Sequence, residues 1–222
     1  MALLVGVLAV RELSDHVRIW PRLFQVACGC CLLAQGGLVL AYPREAIVVA
    51  ALLAMVCLAW ATLRRRRGAM LYGLFFLQSA GLGCLVLLQE IPIAVGQQAA
   101  WFFYLCAVTA LNDIGQFVSG KCFGRHKIAQ GISPNKTWQG LAGGLVVSVA
   151  VSIGIGNVTH LAPVSQLIGL GILLCVAGFL GDLLFSAAKR QLGIKDFSDL
   201  IPGHGGILDR VDSLVLTAPA LY

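Results

Sequence analysis

The sequence predicts an all-α fold, a polytopic bundle of transmembrane helices with active-site loops on its cytosolic face. Two observations lead there. Of the 222 residues, 59% are hydrophobic and only 12% are charged, and the mean hydropathy is +0.88. A water-soluble core of this size would need far more polar surface. The apolar residues also come in stretches close to the ~20 that cross a bilayer as a helix.

Those stretches fall at roughly 23–42, 46–63, 69–91, 99–119, 140–156 and 167–188. Residues 1–10 and 214–222 are apolar but too short to span. No basic segment precedes Met1–Val10, and Ala9-Val10-Arg11-Glu12 is a poor cleavage site, so a retained terminus is expected. With no internal repeat, low-complexity tract or linker, residues 1–222 read as a single integral membrane domain.

Orientation follows from the basic residues. Arg11, Arg18 and Arg22 form one cluster, and Arg64 to Arg67 a second. Lys121, Arg125, Lys127 and Lys136 form a third, and Lys189, Arg190, Lys195 and Arg210 a fourth. With the six stretches each crossing once, all of these lie on one side and only Arg44 lies opposite. The positive-inside rule makes that side cytosolic. The net charge of +6 is then a topology signal, and no nucleic-acid partner is expected. The eight cysteines lack metal-ligand spacing and read as small hydrophobes. His16 and His160 have no partner pattern. Loops 120–139 and 189–213, rich in Gly, Pro, Lys and Asp, are where chemistry is expected.

Two carboxylates sharpen this. Asp113 and Asp182 each sit inside an apolar stretch near its cytosolic end. An ionised Asp at bilayer depth costs on the order of 2.5–3.5 kcal/mol, so it turns inward to a partner. A polar contact between helices is the plain alternative. On a helix, Asp182, Ser186 and Lys189 share one face with Arg190 beside them, and Asn112 and Gln116 flank Asp113. Asp209 and Asp212, three apart, would present two carboxylates to one side, a pattern that suits Mg²⁺ when substrate phosphates complete its shell. Lys189, Arg190, Lys195 and Arg210 are available for phosphate oxygens. The Pro202-Gly203-His204-Gly205-Gly206 turn lets backbone N–H groups approach an anion. Singly, each is an ordinary loop feature. Their order and spacing together are not.

Ser186, Lys189-Arg190, Lys195-Asp196, Pro202, His204-Gly205-Gly206, Asp209-Arg210 and Asp212 resemble the signature of the phosphatidate cytidylyltransferases, the CDP-diacylglycerol synthases. A second segment, "GKCFGRHKIAQGISPNKTWQG", is similar to that family's other cytosolic loop. The resemblance covers roughly residues 110–213. Gln139 stands where the family often has Glu, and "NDIGQF" departs from an Asp-x-x-Ala-Tyr form.

The resemblance implies transfer of a cytidylyl group from CTP to phosphatidic acid, giving CDP-diacylglycerol and pyrophosphate. It implies Asp182, Asp209 and Asp212 as ligands of one or two Mg²⁺ ions. Lys189, Arg190, Lys195 and Arg210 would handle triphosphate or lipid phosphate, with Ser186 beside them. His204, Gly205 and Gly206 would shape the nucleotide loop, and Lys136 and Thr137 would contact CTP phosphates. The expected setting is the bacterial inner membrane, with CTP, phosphatidic acid and the bilayer as partners and a homodimer left open. Alternatives are a CTP-dependent enzyme acting on another lipid phosphate or a lipid alcohol, an inactive homologue, and a transporter or scaffold with a cation path through Asp113 and Asp182.

Overall fold

The computed structural model describes residues 11–12, 42–64, 67–88, 96–198, 206 and 208–222. The expected span at 23–42 lies outside the described residues, as do residues 199–205 with His204 and Gly205. The described elements are α1 (Pro43–Arg64), α2 (Arg67–Leu87), α3 (Gln97–Phe123), β1 (Lys127–Ala129), β2 (Ser133–Thr137), α4 (Trp138–Val158), α5 (Val164–Leu192), α6 (Leu208–Val211) and α7 (Leu214–Leu221). Helices therefore occupy the five later apolar stretches. Among the described residues, Arg44–Ala61 in α1, all of α4 and all of α5 are long and apolar enough to cross a membrane. The 21 residues of α4 rise about 31 Å, the thickness of the hydrocarbon layer.

The chain divides into two compact units, Met1–Leu87 with Ala188–Val211, and Leu88–Ala187 with Asp212–Tyr222. In the first, α1 and α2 pack closely through glycine. A Cβ on Gly73 would lie 2.6 Å from Leu58 Cγ, and one on Gly83 2.7 Å from Ile47 Cγ1, an order that makes the pair antiparallel. Helix α1 buries Ala46, Ala50, Ala54 and Ala61 while exposing Val48, Leu52, Met55, Val56, Trp60 and Leu63. Large apolar residues outside and alanines inside invert the soluble pattern. The arrangement suits lipid, where van der Waals contact between close backbones holds helices together.

The second unit uses the same device. Helix α4 buries Gly140, Gly144, Ser148, Ser152 and Gly156, a ridge with a period of four. The ridge lets α3 approach until a Cβ on Gly144 would lie 2.3 Å from Gln116 Cγ. Hydroxyls then join three helices. Tyr104 Oη lies 2.6 Å from Ser152 Oγ, which donates to the Leu167 carbonyl at 2.5 Å, and Ser148 Oγ donates to the Gly171 carbonyl at 2.8 Å. Thr109 of α3 donates to Thr217 of α7 at 3.2 Å.

The expected loop 120–139 contains an antiparallel ribbon that the sequence reading did not foresee. Lys127 pairs with Thr137 and Ala129 with Ser133. Strands this short, one of them holding Pro134 and Asn135, lack the alternation that marks a strand. Gln139 ties down the ribbon's base. Its Oε1 accepts the Arg125 and His126 N–H groups at 3.1 and 3.2 Å, and its Nε2 lies 3.0 Å from His126 Nδ1. Thr137 then caps α4 by accepting the Gly140 N–H at 3.0 Å.

Candidate active site

In the second unit, the ribbon delivers Lys136 to α5, where its Nζ lies 2.7 Å from Asp182 Oδ2. The ammonium sits 4.4 Å from the centre of the Phe179 ring and donates to the Phe179 carbonyl at 3.4 Å. The lysine side chain is only 11% exposed and the carboxylate 37%. One turn along α5, Ser186 Oγ donates to Asp182 Oδ1 at 3.2 Å. A cavity of about 160 Å³ is lined by Asp113, Gln116, Asn135, Lys136, Thr137 and Asp182, among others. Asp113 Oδ1 accepts from Asn112 Nδ2 at 3.5 Å, and the carboxylate lies within the fields of Asp182 and Lys136. Asn112 Oδ1 and Gln116 Nε2 are buried and have no hydrogen-bond partner among the described residues.

In the first unit, Asp209 organises the signature loop. Its Oδ1 accepts from Lys189 Nζ at 2.6 Å, and its Oδ2 accepts the Phe197 N–H at 2.9 Å and the Gly206 N–H at 3.1 Å. The Lys189 side chain is 12% exposed and that of Asp209 8%, and the ammonium lies 5.7 Å from the Phe197 ring centre. Three donors on one buried carboxylate make a strong, charge-assisted set. The Gly206 N–H is thus engaged by Asp209, and here it faces this carboxylate instead of an external anion.

Glu12 is a residue the sequence reading missed. It is 2% exposed, and its carboxylate accepts the Leu208 N–H at 2.9 Å and the Ser198 hydroxyl at 2.7 Å. A Cβ on Gly206 would lie 2.7 Å from Glu12 Oε2, so glycine is what admits the carboxylate. The signal in the sequence is an acid bordering an apolar terminus.

The remaining site residues fall out as follows. Arg190, Lys195 and Arg210 are exposed. His204 and Gly205 lie outside the described residues. Thr137 serves as the α4 cap. The expected helix carrying both Asp209 and Asp212 ends at Val211. Asp212 follows in a turn, buried, and its Oδ1 accepts the Ser213 N–H at 2.8 Å. Ser186 bonds Asp182 as the shared helix face implied, whereas Lys189 goes to Asp209.

Among the described residues, no group of three or more His, Cys, Asp and Glu side chains is placed to hold a metal. A hard divalent ion can nonetheless be held by one or two carboxylates when waters and substrate phosphates complete its shell. Asp182, partly exposed at a cavity that also holds Asp113, fits that requirement. Each of Asp182 and Asp209 carries a lysine, Lys136 or Lys189, on one of its oxygens, and Asp209 has its other oxygen committed to backbone N–H groups as well.

Membrane-length apolar helices, with lysine–carboxylate pairs near their ends, define an α-helical integral membrane protein. The chain belongs to the cytidylyltransferase family, whose model matches residues 1–222. It is 34% identical over 196 residues to a phosphatidate cytidylyltransferase of Brucella suis, a match covering 87% of this chain and 71% of that protein. It is 42% identical over 123 residues to a phosphatidate cytidylyltransferase of Bacillus subtilis, covering 55% of this chain and 46% of the relative. With the uncharacterized protein YnbB of Escherichia coli it shares 46% identity over 121 residues, covering 54% of this chain and 40% of the relative. In these last two, the match spans less than half of the relative's length.

Proposed function

We propose that this protein transfers the cytidylyl group of CTP to phosphatidic acid, at the cytosolic surface of the membrane, for phospholipid synthesis. The observation that carries the reading is that both charged segments of a chain matching the family throughout are folded around lysine–carboxylate pairs, Lys136–Asp182 and Lys189–Asp209. The names of the Brucella and Bacillus relatives support the choice of acceptor. The clustering of basic residues in the segments that hold these pairs supports the cytosolic face.

In the reaction, a phosphate oxygen of the lipid attacks the α-phosphorus of CTP. The bond from that phosphorus to the oxygen leading to the β-phosphate breaks, and pyrophosphate leaves with the electron pair. The nucleophile is already an anion, so no strong general base is needed. Bringing two polyanions together is the difficulty, and fixed cations address it by positioning and charge stabilisation. Lys136, Lys189, Arg190, Lys195 and Arg210 supply those charges. Asp182 and Asp209, with Asp212 as a third candidate, would hold Mg²⁺, which when bound neutralises phosphate oxygens and orients them. Glu12 and Asp209 keep the loop in shape, and Thr137 and Gln139 hold the ribbon that carries Lys136.

The test uses the purified full chain in detergent with Mg²⁺, dioleoyl phosphatidic acid and CTP labelled at either the α- or the γ-phosphate. Label from the α-position is expected in the lipid product and label from the γ-position in pyrophosphate. A lipid labelled from the γ-position would establish a kinase in its place. Product with a different lipid phosphate, but none with phosphatidic acid, would overturn the acceptor.

A further inference from the structure

The lysines assigned to phosphate are bound, in this structure, to the carboxylates assigned to the ion. Lys136 Nζ stands 2.7 Å from Asp182 and Lys189 Nζ 2.6 Å from Asp209. Each ammonium is nearly buried and faces a phenylalanine ring. An ammonium pressed on a carboxylate occupies the place of a hard cation. A divalent ion bound to the same oxygen would stand within a few ångströms of it, where like-charge repulsion is severe.

The two pairs differ in how readily they part. Both oxygens of Asp209 are committed, one to Lys189 and the other to two backbone N–H groups. Asp182 is more exposed, and its second oxygen accepts only the Ser186 hydroxyl among the hydrogen bonds of its side chain. It also opens on a cavity where two carboxylates, Asp113 and Asp182, stand with the single ammonium of Lys136. Two carboxyl groups beside one ammonium supply the oxygen donors that a hard divalent ion takes.

We propose that Lys136 is the resident counter-ion of Asp182, and that a divalent cation binds this cavity by displacing the ammonium, which is then free to take a nucleotide phosphate. The second half of this statement rests on the proposed reaction, whereas the exchange itself does not. Because coupling between two ligands is reciprocal, phosphate that draws Lys136 away raises the affinity for the ion, and the ion raises the affinity for phosphate. The protein thereby disfavours loading of the ion alone.

The exchange predicts an unusual sign, in which removing the cationic partner of Asp182 improves binding of the ion. Free Mn²⁺ is measured by electron paramagnetic resonance during titration of the purified full chain in detergent, without nucleotide or lipid phosphate. Lys136→Met is expected to bind Mn²⁺ about tenfold more tightly than the unaltered protein. The gain should vanish in the double variant with Asp182→Asn. Lys136→Gln gives the same reading if the methionine variant does not accumulate. Equal or weaker binding after removal of the ammonium overturns the exchange, as does a gain that survives Asp182→Asn. A gain in Mn²⁺ affinity in the Lys136 variants, with no cytidylyl transfer by the unaltered protein, sinks the proposed reaction alone, and transfer by the unaltered protein with no gain in the variants sinks the exchange alone.

Discussion

Glu12 and Leu208 are 196 residues apart in the chain, yet the Leu208 N–H donates to the Glu12 carboxylate at 2.9 Å. Glu12 therefore fixes the backbone next to Asp209. Replacing Glu12 by Leu would leave the buried Leu208 N–H unpaired, at a cost of about 1–3 kcal/mol. Glu12→Leu is expected to make residues 189–211 more sensitive to limited proteolysis and to lower turnover, while Glu12→Gln, which keeps an acceptor, does so less. An unchanged cleavage pattern in both would sink this role.

Asp209 joins three donors, so its substitution should have two effects. Asp209→Asn keeps the shape but removes the charge that Lys189 and two backbone N–H groups share. Charge-assisted hydrogen bonds are roughly twice as strong as neutral ones, and the loop should loosen as turnover collapses. Proteolysis and turnover measured on the same preparation check this. A fully active variant with a normal cleavage pattern would show that the charge is dispensable.

Asp182 has a lighter structural duty, because its side chain is more exposed and bonded only to Lys136 and Ser186 among the contacts described. Asp182→Asn is expected to accumulate normally in the membrane and to lose about 100-fold or more in turnover. Ser186→Ala, which removes only a hydrogen bond orienting Asp182, should lose about tenfold. Loss of accumulation in Asp182→Asn would assign the residue to folding.

The close contact of α3 with α4 predicts a contrast between two glycines on one helix. A Cβ at Gly144 would meet Gln116 at 2.3 Å and Asn112 Oδ1 at 2.9 Å, whereas one at Gly154 would meet nothing within 4 Å. Gly144→Val should abolish a monodisperse peak in detergent size-exclusion chromatography, and Gly154→Ala should leave it intact. Equal behaviour of the two would count against the packing described.

The basic clusters predict sidedness. Asp196 is exposed in the loop after α5. In a background with the eight native cysteines replaced by alanine, Asp196→Cys should react with a membrane-impermeant maleimide only after cells are permeabilised. Labelling of intact cells would invert the topology.

Helix locations were legible in the sequence because lipid imposes a length and an apolarity that any window of residues reveals. The five later stretches became α1 to α5, with ends shifted by a few residues where caps such as Thr137 decide. The chemistry-bearing segments were legible too, since Asp182, Lys189 and Asp209 are costly in so apolar a chain unless they have partners. Who partners whom was not legible. Lys136 reaches Asp182 only because a ribbon without strand alternation folds back upon Gln139. Lys189, helically aligned with Asp182, instead turns to Asp209. Glu12 acquires its role from a contact across 196 residues. Local pattern reports the solvent each residue must face, while pairings between distant charges depend on close approach of backbones, and only the tertiary structure decides them.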